Sequence, residues 1–213
     1  MNRLRGFYAV LDRDDELLAR TLLAHAGVLQ VRLKPRGSAR AEDAAEIVRV
    51  ARWARRLCDE HGAALVVNDR VDLALAAGAD GVHLGQTDLP LADARAIAGR
   101  LWIGISTHDL AQVRAAVAGG ADYLGFGPVF ATTTKADPDA VQGLAGLAAA
   151  VAEACDVPIV AIGGITPANA CDAYRAGASC VCAIGSVNDA LDVAHAARSL
   201  RMAASDIAHD SKV

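Results

Sequence analysis

The sequence predicts an α/β protein folded as a single (β/α)8 TIM barrel, and three observations carry that expectation. Short β-branched or aliphatic runs alternate with Ala/Arg/Glu-rich helical stretches along the whole chain. Eight such runs can be counted, the number that closes a barrel of this type. A phrase also recurs: "AAGADGV" at 76–82, "AGGADYL" at 118–124 and "RAGASCV" at 175–181. Each copy puts glycine just after a helix, where a left-handed cap is needed, and leads straight into a strand. The repeating unit is therefore one helix–strand step. An open doubly wound sheet is the alternative, but its G-x-G-x-x-G signature after the first strand is missing. Polar strand ends are also spread too evenly for a single switch point.

The elements follow in order. The first strand is read at 7–12 (FYAVLD) and the second at 28–34 (VLQVRLK). A helix covers 40–60, where Ala44, Ile47, Val48, Ala51, Ala54 and Leu57 keep helical spacing while Arg and Glu fill the other face. Strands three to five are read at 63–69 (AALVVND), 81–85 (GVHLG) and 102–107 (WIGIST). Strand six is placed at 122–129 (DYLGFGPV), followed by a clear helical pattern at 143–155. Strands seven and eight are 158–163 (PIVAIG) and 179–185 (SCVCAIG), and an eighth helix is expected at 188–201. The barrel domain is assigned to 1–202, and the end, 203–213 (AASDIAHDSKV), is expected to fray.

The composition narrows the function classes. Lys plus Arg (21) against Asp plus Glu (25) leaves a formal charge of −4, which argues against a nucleic-acid binder with its basic face. A local cationic pocket remains compatible with it. The start, "MNRLRGFYAVLDRDD", has no apolar stretch of signal-peptide length, and no apolar run reaches the roughly 18 to 20 residues that span a bilayer. Five cysteines without framework spacing suggest reduced thiols in a cytoplasmic protein. Cys180 and Cys182 share one strand face and are read as small core residues. Alanine-rich barrel helices suit a homodimer as well as a monomer.

In a barrel, chemistry collects at the C-terminal ends of the strands. In "LQVRLK", Gln30, Arg32 and Lys34 alternate on one face, with Val31 and Leu33 on the other. Strands covered on both sides offer no solvated face, and buried long polar side chains need a partner. A polyanion such as pyrophosphate would suit Arg32 and Lys34. Strand three stops in Asn68-Asp69-Arg70. Asp69 and Asp88 end neighbouring strands, and adjacent carboxylates require a cation or a shared proton. Taken singly, Asp69 could pair with Arg70, and Asp88 could cap the helix ahead of Leu89-Pro90. Taken together beside a cationic strand, they point to Mg2+, which takes one or two carboxylates and fills its shell with water and phosphates.

Thr132, Thr133, Thr134 and Lys135 form a polar loop over the same mouth. Gly163-Gly164 and Gly185-Ser186 end strands seven and eight, the usual phosphate site of such barrels, where glycine allows close backbone approach. His83, between Val82 and Leu84, reads as a core or supporting histidine, and His108 could equally start the fifth helix; neither has metal-ligand spacing. The Ser106 hydroxyl could bind substrate or cap a turn.

Five motifs in this order, "QVRLK", "VNDRVDLALAAGADGVHLGQTDLP", "IGISTH", "GFGPVFATTTKADP" and "VAIGGI", resemble the thiamine phosphate synthase family over Phe7 to about Leu191. The resemblance implies an enzyme joining a pyrimidine methyl diphosphate to a carboxylated thiazole phosphate, with loss of diphosphate and CO2. It implies that Gln30, Arg32, Lys34 and Asn68 hold the pyrimidine diphosphate and that Asp69 and Asp88 ligate Mg2+. Ser106 and Lys135 would contact the departing diphosphate. Thr132 to Thr134, Gly164, Ile184 and Gly185 would receive the thiazole phosphate. Ala131 stands where the family commonly has proline, and Gly185 where serine is common.

Rival readings are a related thiazole tautomerase, which has no need of the Gln-Arg-Lys strand plus two aspartates, and a catalytically silent binder of thiamine-pathway phosphates. A Schiff-base lyase ranks last, because Lys34 and Lys135 sit among charges instead of in an apolar pocket.

Overall fold

The computed structural model describes residues 4–33, 43–132 and 140–210. Eight parallel strands close in sequence order, with β1 pairing both β2 and β8. They are β1 (Gly6–Leu11), β2 (Ala26–Val31), β3 (Ala64–Asn68), β4 (Gly81–Leu84), β5 (Trp102–Thr107), β6 (Tyr123–Phe126), β7 (Ile159–Ile162) and β8 (Cys180–Ala183). Between them run α1 (Glu16–Leu23), α2 (Ala44–His61), α3 (Val71–Ala77), α4 (Leu91–Ala98), α5 (Leu110–Ala118), α6 (Gly143–Ala154) and α7 (Ala170–Arg175). Two helices, α8 (Gly185–Asn188) and α9 (Val193–Asp210), follow the last strand.

Strand alternation divides the core in two. Outward residues such as Phe7, Leu29, Val67, Ile103 and Leu124 pack on the helices in one large cluster. Inward residues, among them Tyr8, Val10, Val28, Val66, Tyr123, Cys180 and Cys182, fill the barrel. The two cysteines thus share the interior face expected of them.

Helix ends follow their local chemistry. Asp43 caps α2 through Ala45 N at 2.9 Å, and Gly62, in the left-handed region at φ 66°, closes it. At α5 the cap is Asp109, not His108. Asp109 accepts from Gln112 N at 2.8 Å, and the Gln112 side chain accepts from His108 N at 2.7 Å, a reciprocal arrangement.

The recurring "GAD" phrase does more than cap helices. Asp80 and Asp122 sit at the start of their strands, at the end of the barrel away from the mouth. Asp80 accepts from Leu65 N (2.8 Å) and from Arg55 of α2 (2.5 Å). Asp122 repeats this with Ile103 N (2.7 Å) and Arg95 of α4 (2.6 Å). Each aspartate therefore ties a helix to two strands. The third copy has Ser179, whose N–H donates to Ile159 O at 2.9 Å and whose carbonyl accepts from Gly6 N at 3.0 Å.

Several boundaries differ from the sequence reading. The second strand ends at Val31 rather than 34, although Arg32 N still donates to Leu11 O at 2.9 Å. The sixth stops at Phe126, before a cis Gly127–Pro128 bond. The helix expected at 188–201 is two helices, and α9 continues to Asp210, into the segment expected to fray. Its apolar side explains this: Ala196, Ala197, Leu200 and Ala203 are buried.

Candidate active site

The mouth of the barrel is assembled from strand ends whose loops hold one another. The most strained point is Asp69, just past β3, with φ 60°. Arg70 N donates to Asn68 O at 2.8 Å, closing a three-residue γ-turn centred on Asp69, while Asp69 N donates to His83 O at 2.7 Å. An L-residue held in this region costs of order 1–3 kcal/mol and tends to mark function. Arg70 itself grips Asp72 with two bonds, 2.9 and 2.5 Å.

Asp88 lies in the turn after β4, where its carboxylate accepts from Gly85 N at 2.6 Å. A Cβ on Gly85 would stand 3.0 Å from that oxygen, so glycine makes room for the fold-back. The cap of α4 is Pro90, with no side-chain bond, so Asp88 is not the helix cap that the sequence left open. Asp69 and Asp88 are half-buried hard-oxygen donors on adjacent strand ends, a donor set that suits Mg2+ completed by water and phosphate. Among the described residues no cluster of three or more His, Cys, Asp or Glu side chains is placed for an all-protein metal cage.

Gln30 is 5 % exposed, inside the barrel. The charge of Arg32 acts on both His83 and Cys182, two interior residues, so this half-buried guanidinium also stands over the barrel interior. Lys34 lies outside the described residues, as do Thr133, Thr134 and Lys135. Thr132 is described and half-buried.

Below the mouth runs a chain of polar side chains that the sequence did not disclose. Gln30 Nε2 donates to Tyr8 Oη (2.9 Å), Tyr8 Oη meets Tyr123 Oη (3.0 Å), and Tyr123 Oη meets His83 Nδ1 (3.1 Å). His83 Nε2 then meets Ser106 Oγ at 2.9 Å. Burial pushes both phenols up, so each keeps its proton. Burial holds the His83 imidazole down at about 4, against a pull upward from Asp88 and with a further push downward from Arg32. The Cys182 thiol is pushed up to about 12 by burial. The sequence did carry one signal for this chain, glycine in mid-strand at 104 and 125. A Cβ on Gly104 would fall on the Tyr123 ring, and one on Gly125 would come 3.1 Å from His83 Cε1.

The loops after β6, β7 and β8 are stitched together. Val129 N and Phe130 N donate to Ile162 O and Gly163 O, each at 2.9 Å. Gly163 and Gly164 have φ 91° and 65°, and a Cβ on either would strike Pro128 or Phe130. Both glycines are therefore required by the close approach of the β6 loop, whatever else they serve. Asn169 holds this turn, donating to Gly164 O (2.9 Å) and accepting from Thr166 N (2.8 Å). Ser186 donates to Ile165 O at 2.7 Å, which seats Ile184 and Gly185 beside the β7 loop. Asn188 donates to Val10 O (2.9 Å) and Asp12 (3.0 Å), and Arg13 donates to Asn188 O (2.7 Å), which clasps β8 to β1.

Known proteins resemble the chain in sequence and in fold. A family model described as thiamine monophosphate synthase matches residues 7–187. The chain belongs to the thiamine monophosphate synthase family. A thiamine-phosphate synthase of Chloroflexus aurantiacus is 53% identical over 147 residues, 69% of this chain and 68% of that one. One from Methanospirillum hungatei is 44% identical over 184 residues, 86% of each chain. Among solved structures, a thiamine phosphate pyrophosphorylase from Pyrococcus furiosus has a TM-score of 0.85 at 35% identity, covering 97% of this chain and 98% of that one. Membership makes the protein a transferase of thiamine biosynthesis. Among its described residues, no helix is long and apolar enough to cross a membrane.

Within the family frame, sequence reading missed residues that touch the candidate site residues or hold their loops: Tyr8, Tyr123 and Asn169. It read His83 as a core or supporting histidine without naming the side chains that its ring meets. Each is a common residue type whose role depends on a contact across the barrel or between loops.

Proposed function

We propose that the protein is a thiamine phosphate synthase that condenses 4-amino-2-methyl-5-(diphosphooxymethyl)pyrimidine with carboxythiazole phosphate. The products are thiamine phosphate, diphosphate and CO2. The observation that carries this reading is the shared mouth. Two carboxylates end the adjacent strands β3 and β4, beside the Arg32 charge and the Ser106 hydroxyl. Relatives that carry the name thiamine-phosphate synthase support it.

In this reading Gln30 and Asn68 orient the pyrimidine. Arg32 and Lys34 neutralise its diphosphate from the β2 side, and Lys135 and Ser106 meet the same group as the C–O bond breaks. Asp69 and Asp88 would hold Mg2+, which when bound stabilises the negative charge of the leaving diphosphate. The C–O bond breaks dissociatively, because the aminopyrimidine can carry the cation left on its methylene carbon, and no covalent nucleophile from the protein is needed. Preorganised charges and donors aimed at the leaving group supply the acceleration. The thiazole nitrogen then captures the methylene cation, after which the ring carboxylate leaves as CO2 and the carbon that carried it takes a proton. The thiazole is held at short range by its phosphate, seated among Thr132 to Thr134, Gly164, Ile184 and Gly185.

The test is to incubate the purified protein with both substrates and Mg2+, following thiamine phosphate with and without EDTA. Product that disappears with chelator is the expected result. Binding of both substrates without product would replace the enzyme with a silent binder. No pyrimidine binding at all would refute the roles given to Gln30, Arg32 and Asn68.

A further inference from the structure

We infer that His83 is a positioning residue that holds Ser106 as a hydrogen-bond donor toward the mouth. It does so at the end of a proton-ordered chain that runs from Gln30 through Tyr8 and Tyr123. What Ser106 meets in the mouth rests on the diphosphate reading above. The order of the chain rests on the interior geometry alone.

Gln30 turns its amide nitrogen to Tyr8 Oη at 2.9 Å, and an amide nitrogen has only protons to give. Tyr8 accepts there, so its own proton goes to Tyr123, 3.0 Å away. Tyr123 in turn gives its proton to His83 Nδ1 at 3.1 Å. An imidazole that accepts at Nδ1 carries its proton on Nε2, which lies 2.9 Å from Ser106 Oγ. Ser106 therefore accepts from His83, and its hydroxyl proton is directed elsewhere. Ser106 is half-buried, at the mouth end of β5. Reversing the chain would invert every bond, and Ser106 would spend its proton on His83. It would then present only lone pairs to an anion. The forward order supplies a donor where charge develops.

The chain is built, not incidental. Tyr8, Tyr123 and Gln30 are 2 %, 0 % and 5 % exposed. Gly104 and Gly125 leave the space that the Tyr123 and His83 rings occupy. Glycine inside a strand weakens it, and a layer of aliphatic side chains would fill the volume without that cost.

The experiment has a spectroscopic and a kinetic arm. Protein carrying isotope-labelled histidine is examined near neutral pH, without substrates, by long-range proton–nitrogen correlation. The His83 signal is identified by its loss in His83→Gln. An Nε2–H tautomer is expected, and an Nδ1–H tautomer or a charged ring would overturn the order. This arm needs no turnover, so it stands apart from the proposed reaction.

In the kinetic arm, Ser106→Ala and His83→Ala each lower kcat by about 10²-fold, the usual cost of losing one preorganised donor, with little change in KM. The double variant is no slower than Ser106→Ala. His83→Gln, whose amide nitrogen reaches the Nε2 position, recovers most of the rate. Losses that multiply in the double variant, or a glutamine no better than alanine at equal Tm, would reduce His83 to packing and overturn the proposal. No turnover by the unaltered protein would instead sink the proposed function, while the tautomer still decides the chain's order.

Discussion

Replacing Asp69 by Asn, Gly and Ala in turn separates its charge from the backbone it occupies. Its φ of 60° and the 2.8 Å bond from Arg70 N to Asn68 O define a γ-turn that ordinary residues resist. Left-handed backbone costs an L-residue about 1–2 kcal/mol, less for Asp and Asn, and nothing for glycine. Alanine should therefore destabilise by about 1 kcal/mol, and asparagine should stay within about 0.5 kcal/mol. Glycine relieves the turn but gains entropy when unfolded, so its net change stays under about 1 kcal/mol. In a chain of this size, about 1 kcal/mol moves Tm by roughly 2–4 °C. All three variants lose the same carboxylate. All should lose turnover alike, on the order of 10²-fold or more, if that carboxylate holds charge against the diphosphate. The paired assays are thermal melts and initial rates of thiamine phosphate formation at saturating Mg2+. Rates that follow the melting order, with asparagine close to the unaltered protein, would show that Asp69 serves only the turn, and the metal assignment would fail.

Three further outcomes are expected. Asp122→Ala removes the acceptor of Ile103 N and Arg95 at the end of the barrel away from the mouth. It should cost about 1–2 kcal/mol in urea unfolding while leaving kcat per folded molecule unchanged. Gly164→Ala adds a Cβ against Phe130 at φ 65°. It should cost at least about 1 kcal/mol and raise the KM for the thiazole phosphate several-fold, with the pyrimidine KM unmoved, as initial rates would show. His83 gives a pH dependence. Its folded value of about 4 lies below the ordinary 6.5, so between the two the unfolded chain binds a proton that the folded chain refuses. The His83 contribution to stability falls as pH drops through this window and is constant on either side of it. The half-buried ring limits the loss to about 1–3 kcal/mol, and unfolding curves of His83→Gln should lack it.

Much of the fold was legible because it is written in local order. Apolar runs of strand length and the helical spacing of 40–60 placed all eight strands and the long helix α2 close to where they lie. The polar ends of those strands located the mouth, since a barrel gathers them on one face whatever the details of packing. Boundaries were less legible: the second strand stops at Val31, opposite Leu11, where its partner strand β1 also ends, a limit set by the neighbour and not by its own residues. The segment 203–213, expected to fray, opens on Ala203, which is buried on the same side of α9 as Leu200.

By itself the sequence determined the class of fold, the end of the barrel at which the polar strand ends gather, and the residue types offered there, because each follows from spacing within one element. Only the tertiary structure decided which of them meet. Tyr8 and Tyr123 are 115 positions apart and His83 and Tyr123 are 40 apart, yet their polar atoms lie within hydrogen-bond distance. Their meeting depends on the stagger of the strands around the closed sheet, and on glycines that clear the space between them. The same holds for Asp69, whose N–H is tied to His83 O of β4, and for the "GAD" aspartates, whose partners arrive from helices one step earlier in the chain. A contact between distant residues is a property of the closed barrel, and no window of sequence contains it.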